Sequence, residues 1–168
     1  TGGQMNDLIT ANRVAEATIG ALSADRLLVF LDTFVDQDRG YFIRSGLIDR
    51  AFNPRLGAKI VRHLHSVPKV IGGQIKIQDI ISIADGQMLV LQGLSSHLKL
   101  YVFLPESQGI DVARALASCL SEGCAGAGNW INLETGEITS CEWKKEGNIV
   151  MLEQELNCLE PSMIIAHR

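Results

Sequence analysis

The sequence predicts an α+β fold: a single domain over residues 5–168, in which a mostly antiparallel sheet is covered on one face by two or three helices. Three observations predict it. Segments with helical apolar spacing are interspersed with segments typical of strands. Successive strands are separated by short turns, which antiparallel pairs allow and parallel pairs do not. No repeat or linker divides the 168 residues, which are enough for one hydrophobic core.

The N-terminal segment is predicted to form a helix over residues 6–22. Apolar residues recur there at intervals of three and four, from Leu8 to Leu22. Asn6 or Asp7 is suited to cap the first turn of this helix. Residues 1–4 are interpreted as the remnant of an expression tag, which makes methionine 5 the expected native start.

Residues 26–35, RLLVFLDTFV, fit two structures. The spacing of their leucine and phenylalanine residues is that of a helix, which Ser23 could cap. Their aromatic and β-branched residues, followed by a polar turn and by YFIRSG at 41–46, fit a hairpin. We favour the hairpin, and the helix stays open as the alternative.

The next segment, residues 54–66, has the apolar spacing of a helix and recognisable end signals. Asn53 is a favoured N-cap residue. Pro54 suits the first helical position, because the N–H that proline lacks would have no partner there. Pro68 lies just past the expected end.

Residues 73–105 are predicted to form three strands with alternating or continuous apolar residues. Asp85-Gly86 can turn the first strand into the second, and Ser95-Ser96 the second into the third. The expected strands cover residues 73–83, 86–94 and 97–105.

The last third of the chain is predicted to contain a helix and a hairpin. The helix covers residues 109–122 and ends at Gly123, a residue type favoured after a helix. The hairpin covers residues 129–143 and turns at Thr135-Gly136. Two further strands are expected, over residues 148–156 and 162–168.

Composition restricts the class of protein. Aromatic residues make up 5% of the chain, so its core must be mostly aliphatic. No apolar run of 18 residues predicts a membrane-spanning helix, and the N-terminal residues lack the pattern of a secretion signal. We therefore expect a cytoplasmic protein with reduced thiols at its four cysteines, no two of which have CxxC spacing. They are Cys119, Cys124, Cys141 and Cys158.

Charge is distributed unevenly along the chain. The formal net charge is −4, from 15 Lys and Arg against 19 Asp and Glu. Residues 50–78 hold six basic residues and no acid, whereas residues 104–168 hold ten acids and four bases. This polarity predicts that the basic segment attracts an anionic partner.

In the expected helix at 54–66, several of these basic residues lie on one side of the helix. At about 100° per residue, Arg55, Lys59 and Arg62 form one stripe, pointing away from the apolar face. A solvated face, with pairing to Asp49 or to the acidic part of the chain, is the alternative interpretation. The candidate binding residues are Arg55, Lys59, Arg62, His63, His65 and Lys69.

No catalytic or metal-binding pattern is recognisable. His63 and His65 are two residues apart and would point to different sides of a helix, so they are poorly placed to share an ion. Cys119 lies near a helix C-terminus, which disfavours a thiolate, and Cys141 and Cys158 lie in expected strands, so each of the three is interpreted as a small core residue. We therefore assign no catalytic residue, no metal and no cofactor.

The leading functional hypothesis is a non-enzymatic binding or adaptor protein. Its basic helix face would engage an acidic protein partner or a second copy of the chain. One alternative is an enzyme with a site assembled from distant residues, which requires a concave pocket near the basic helix. The other is a nucleic-acid-binding regulator, which the net negative charge and the lack of aromatics in the basic helix disfavour. No membrane partner is expected.

Overall fold

Four helices and nine strands form the described part of the chain, residues 2–24, 27–30, 34–35 and 46–167 of a computed structural model. The helices are α1 (Gly2–Ser23), α2 (Leu56–Leu64), α3 (Val67–Ile71) and α4 (Val112–Ala117). The strands are β1 (Ile75–Ile83), β2 (Gly86–Gly93), β3 (Lys99–Pro105), β4 (Ile110–Asp111), β5 (Ala125–Asn132), β6 (Ile138–Glu146), β7 (Ile149–Leu152), β8 (Asn157–Cys158) and β9 (Ser162–Ala166).

Seven strands form one antiparallel sheet in the order β1-β2-β3-β9-β5-β6-β7. The C-terminal strand β9 lies between β3 and β5 and pairs with both, so it joins the two halves of the sheet. Strands β4 and β8 form a separate antiparallel pair. The prediction of a single-domain α+β fold with a mostly antiparallel sheet is confirmed.

The sheet carries a hydrophobic core on each of its faces. Leu89 and Leu91 of β2 face the core built with α1, α2 and α3, whereas Met88 and Val90 face the core built with α4. The expectation that the helices cover one face is therefore wrong. The physical reason is that β2 and β3 are apolar at successive positions, so both faces must be removed from water.

Helix α1 is confirmed, with Ala11, Ala15 and Ile19 fully buried. It begins at Gly2, which places Asp7 inside the helix rather than at a cap. The predicted cap at Asn6 or Asp7 is therefore wrong. No helix among the described residues combines the length and the apolar character needed to cross a membrane.

The described residues 27–30 belong to neither a helix nor a strand. Val35 forms an isolated bridge with Ile48, and the N–H of Ile48 donates to the carbonyl of Phe34 at 3.0 Å. The other strand of the predicted hairpin, at 41–45, lies outside the described residues.

The helix predicted at 54–66 is present but begins two residues later. Arg55 occupies the N-cap position, because Asn53 hydrogen-bonds to Asp49 and Pro54 pairs with Ile48. Pro68 does not follow the helical region. It lies in the first turn of α3, where a residue without an N–H is tolerated.

The predicted strands of the second half are present, and the hairpin over 129–143 turns as expected, with Gly136 at a φ of 77°. The helix predicted at 109–122 is shorter. It covers Val112–Ala117, and the Asp111 carboxylate caps it by accepting from the N–H of Arg114 at 3.1 Å. Gly123 has a φ of 71° but lies beyond the helix end, so it does not terminate α4.

Candidate functional site

Helix α2 places the predicted binding residues between α1 and the β5–β6 turn. Its Ile60 and Leu64 are buried in the core, which fixes the orientation of the helix. Arg55, directly before it, donates from Nη1 to the Asp7 carboxylate at 2.6 Å, and the Arg55 side chain is only 16% exposed. This cation therefore ties α1 to the start of α2.

Two further members of the predicted set contact the β5–β6 turn. The Lys59 ammonium donates to the Glu134 carboxylate at 2.8 Å. The His63 ring donates from Nδ1 to the carbonyl oxygen of Leu133 at 2.7 Å, because a carbonyl can only accept. Part of the basic segment is thus neutralised by the acidic C-terminal third of the same chain.

The prediction that Arg55, Lys59 and Arg62 form one outward stripe is wrong in its geometry. The first two point toward acids of the chain, and Arg55 precedes the helix. The exposed members of the predicted set are Arg62, His65 and Lys69, which are three and four residues apart across α2 and α3. Their side chains form no ion pair or hydrogen bond with any described residue. We call these three residues the α2–α3 basic face.

A tight loop before α2 presents an aromatic side chain to solvent. The Asp49 carboxylate accepts from the N–H groups of Ala51 and Asn53, both at 2.8 Å, and from the Asn53 amide at 3.0 Å. The Asn53 amide hydrogen bond is the main cause of a lowered pKa at Asp49. Phe52, held in this loop, has a φ of 63° and is 75% exposed.

Other large apolar side chains are exposed in the segment that precedes this loop. Phe30 is 85% exposed and Phe34 63% exposed, and Leu28 of the same segment is 80% exposed. Phe103 is the one phenylalanine buried among the described residues. The sequence pattern did not indicate that Leu28, Phe30 and Phe34 are exposed, because a hairpin over this segment would cover its apolar side.

A backbone conformation with positive φ is unfavourable for phenylalanine, so replacing Phe52 with Gly should stabilise the fold by about 1 kcal/mol. The ring makes little contact with the protein, and its loss should not offset this gain. Chemical denaturation measures the change, with Phe34→Ala as a control that should leave the midpoint unchanged. A lower midpoint for Phe52→Gly would show that the ring contributes packing instead.

A cleft of about 610 Å³ borders this region. Asp7, Asp49, Glu134 and Glu160 line it together with Arg55. Each carboxylate already accepts a hydrogen bond within the chain, from Arg55, Asn53, Lys59 and Asn132 respectively. The cleft is therefore polar and close to the basic helix, as the enzyme alternative requires.

The thiols lie elsewhere, on the other side of the sheet. Burial raises the pKa of Cys119 to about 11 and that of Cys158 to about 12, so both stay protonated at neutral pH. In the described ranges, no three His, Cys, Asp or Glu side chains converge to hold a metal ion. The protonated thiols agree with their interpretation as small core residues.

Comparison with known proteins assigns no class to this chain. No protein-family model matches it, and the searches of curated proteins and of solved structures also found no match.

Proposed function

We propose that the chain is a non-enzymatic binding protein, in which the α2–α3 basic face engages an acidic protein partner. The observation that carries the proposal is the exposure of Arg62, His65 and Lys69 without a partner among the described residues. Exposed basic side chains on one surface act together on an approaching acidic surface, and they mainly increase the rate of encounter.

Exposed aromatic residues support a protein as the partner. Phe30, Phe34 and Phe52 precede the basic helix in the chain and offer apolar area that a protein interface can bury. The net charge of −4 opposes a nucleic acid and an acidic protein alike, so the exposed aromatic side chains, and not the charge, favour a protein as the partner.

The experiment compares binding of polyglutamate, as a defined acidic polypeptide, by two charge-reversed variants. Arg62→Glu/Lys69→Glu removes the basic face, and Arg114→Glu/Lys144→Glu makes the same change in net charge at exposed positions on other elements. At low salt, we expect the first variant to lose about tenfold in affinity and the control to stay within about twofold of the parent. Both should keep the parent melting temperature within a few degrees.

Four outcomes would overturn the proposal. Equal losses in the two variants would show that net charge alone governs binding. If the parent protein does not bind polyglutamate, the α2–α3 basic face does not recognise an acidic polypeptide. Tighter binding of an oligonucleotide of equal length would favour the nucleic-acid alternative. Concentration-dependent sedimentation that the Arg62→Glu/Lys69→Glu variant abolishes would identify a second copy as the partner.

A second candidate, an enzyme, is supported by the cleft that Asp7, Asp49, Arg55 and Glu160 line beside α2. The chain would be incubated with a defined mixture of small metabolites and followed by NMR. Loss of one compound, abolished by Glu160→Gln, would replace the binding proposal with this candidate. Unchanged spectra would count against the cleft as a catalytic site.

A further inference from the structure

A second cavity, of about 280 Å³, lies on the opposite side of the sheet from α2. It is bounded by β3, by the segment that follows α4, and by β5, β6 and the end of β9. Tyr101 and Trp143 form part of its buried lining, at 3% and 5% exposure. Its size is close to the lower range of cavities that hold small molecules.

The cavity is lined by a hydrogen-bond donor that has no acceptor among the described residues. The Tyr101 hydroxyl makes no hydrogen bond with any described residue. The indole Nε1 of Trp143, by contrast, is fully buried without a partner and packs against Gly126, so it does not open to the cavity. The Tyr101 hydroxyl therefore needs an acceptor from outside the described part of the chain, and its place on the cavity points to one supplied by a bound ligand.

The charge of the lining favours an anion. Among the described residues, no aspartate or glutamate borders the cavity, whereas Lys99 does. Lys99 and Tyr101 are two residues apart in β3, so their side chains lie on the same side of the strand. Burial raises the pKa of Tyr101 to about 12, so its hydroxyl is a neutral donor at physiological pH.

Part of the remaining lining is apolar. Leu120, Ala125 and Ala166 border the cavity, and Gly126 leaves its backbone against the Trp143 ring, where an added Cβ would come within 2.6 Å. A compact, highly charged ion such as phosphate would leave this surface uncovered. His97, at the cavity rim, holds a positive φ of 55°, a strained conformation that is common at binding sites.

We propose that this cavity binds a small carboxylate with an apolar body, whose oxygens accept from the Tyr101 hydroxyl and from Lys99. The apolar body covers Leu120 and Ala166. This site is separate from the α2–α3 basic face, and either assignment can fail without the other.

The test follows titration of the ¹⁵N-labelled protein with benzoate by NMR, and reads the two indole N–H signals. Trp143 lines the cavity, whereas Trp130 packs against Phe103 at a ring distance of 5.6 Å and serves as the internal control. A Trp130→Phe variant assigns the two signals. We expect a saturable shift of the Trp143 signal and at least about tenfold weaker binding of benzyl alcohol, which has no charge.

Three single variants separate the roles of the lining residues. Lys99→Gln should weaken benzoate binding about tenfold and Tyr101→Phe about fivefold, because each removes one donor to the carboxylate. Lys76→Gln, at an exposed lysine of β1, should leave the affinity unchanged. Equal binding of benzoate and benzyl alcohol, an equal effect of Lys76→Gln and Lys99→Gln, or the absence of a saturable Trp143 shift would each overturn the proposal.

Discussion

Replacing Lys145 with Met should lower the free energy of unfolding by about 3 kcal/mol. Lys145 is 9% exposed, and its ammonium donates to the carbonyl oxygens of Ala117 and Leu120 at 2.7 and 2.6 Å. These carbonyls lie at and just after the end of α4, where no further helical N–H groups are available to them. Methionine keeps the apolar stem of the side chain but removes the charged donor from both oxygens.

The adjacent lysine provides a matched control. Lys144 lies on the other side of β6, its side chain is 61% exposed, and it pairs with Glu146 at 2.6 Å. Lys144→Met should therefore leave the urea midpoint unchanged, since exposed ion pairs contribute little. Equal midpoints for the two variants would show that the Lys145 hydrogen bonds do not support α4.

Replacing Gly136 with Ala should lower the free energy of unfolding by about 2 kcal/mol, of which about half should depend on His63. Gly136 has a φ of 77°, and a Cβ there would lie 2.7 Å from His63 Nε2. The ring is held by its hydrogen bond to the Leu133 carbonyl, at 2.7 Å. Alanine therefore adds backbone strain and displaces the ring from that carbonyl.

Gly147 separates these two contributions. It has a φ of 60° in the β6–β7 turn, and a Cβ there would meet no atom within 4 Å, so Gly147→Ala measures backbone strain alone. In a His63→Ala background, Gly136→Ala and Gly147→Ala should become equally costly, which urea denaturation of the double variants measures. If Gly136→Ala and Gly147→Ala already destabilise the parent protein equally, the contact between His63 of α2 and the β5–β6 turn does not contribute to the cost of Gly136→Ala.

The turns and helices that were predicted correctly depend on residues close together in the chain. The hairpin at Thr135-Gly136 follows from alternating side chains and a glycine that tolerates a positive φ. The apolar spacing of α1 and α2 likewise lies within one segment. The ends of the helices were predicted less accurately. Asn53 hydrogen-bonds to Asp49 and Pro54 pairs with Ile48 in the preceding loop, so neither residue belongs to α2.

The candidate site was predicted only in part. The sequence marked the basic segment, and Arg62, His65 and Lys69 are exposed there as a binding face requires. It did not show that Arg55 and Lys59 pair with acids 48 and 75 residues away. Nor did it reveal the exposed Phe52, because Asp49 determines the shape of that loop through side-chain hydrogen bonds.

By itself, the sequence determined the α+β class, the turns and the polarity of charge, because these depend on composition and on short-range spacing. The tertiary structure decided which charges are available, where the C-terminal strand pairs, and that Lys99, Tyr101 and Trp143 border one cavity. Those features join residues far apart in the chain. They depend on which distant segments pack against each face of the sheet, and the pattern along a single strand does not specify that.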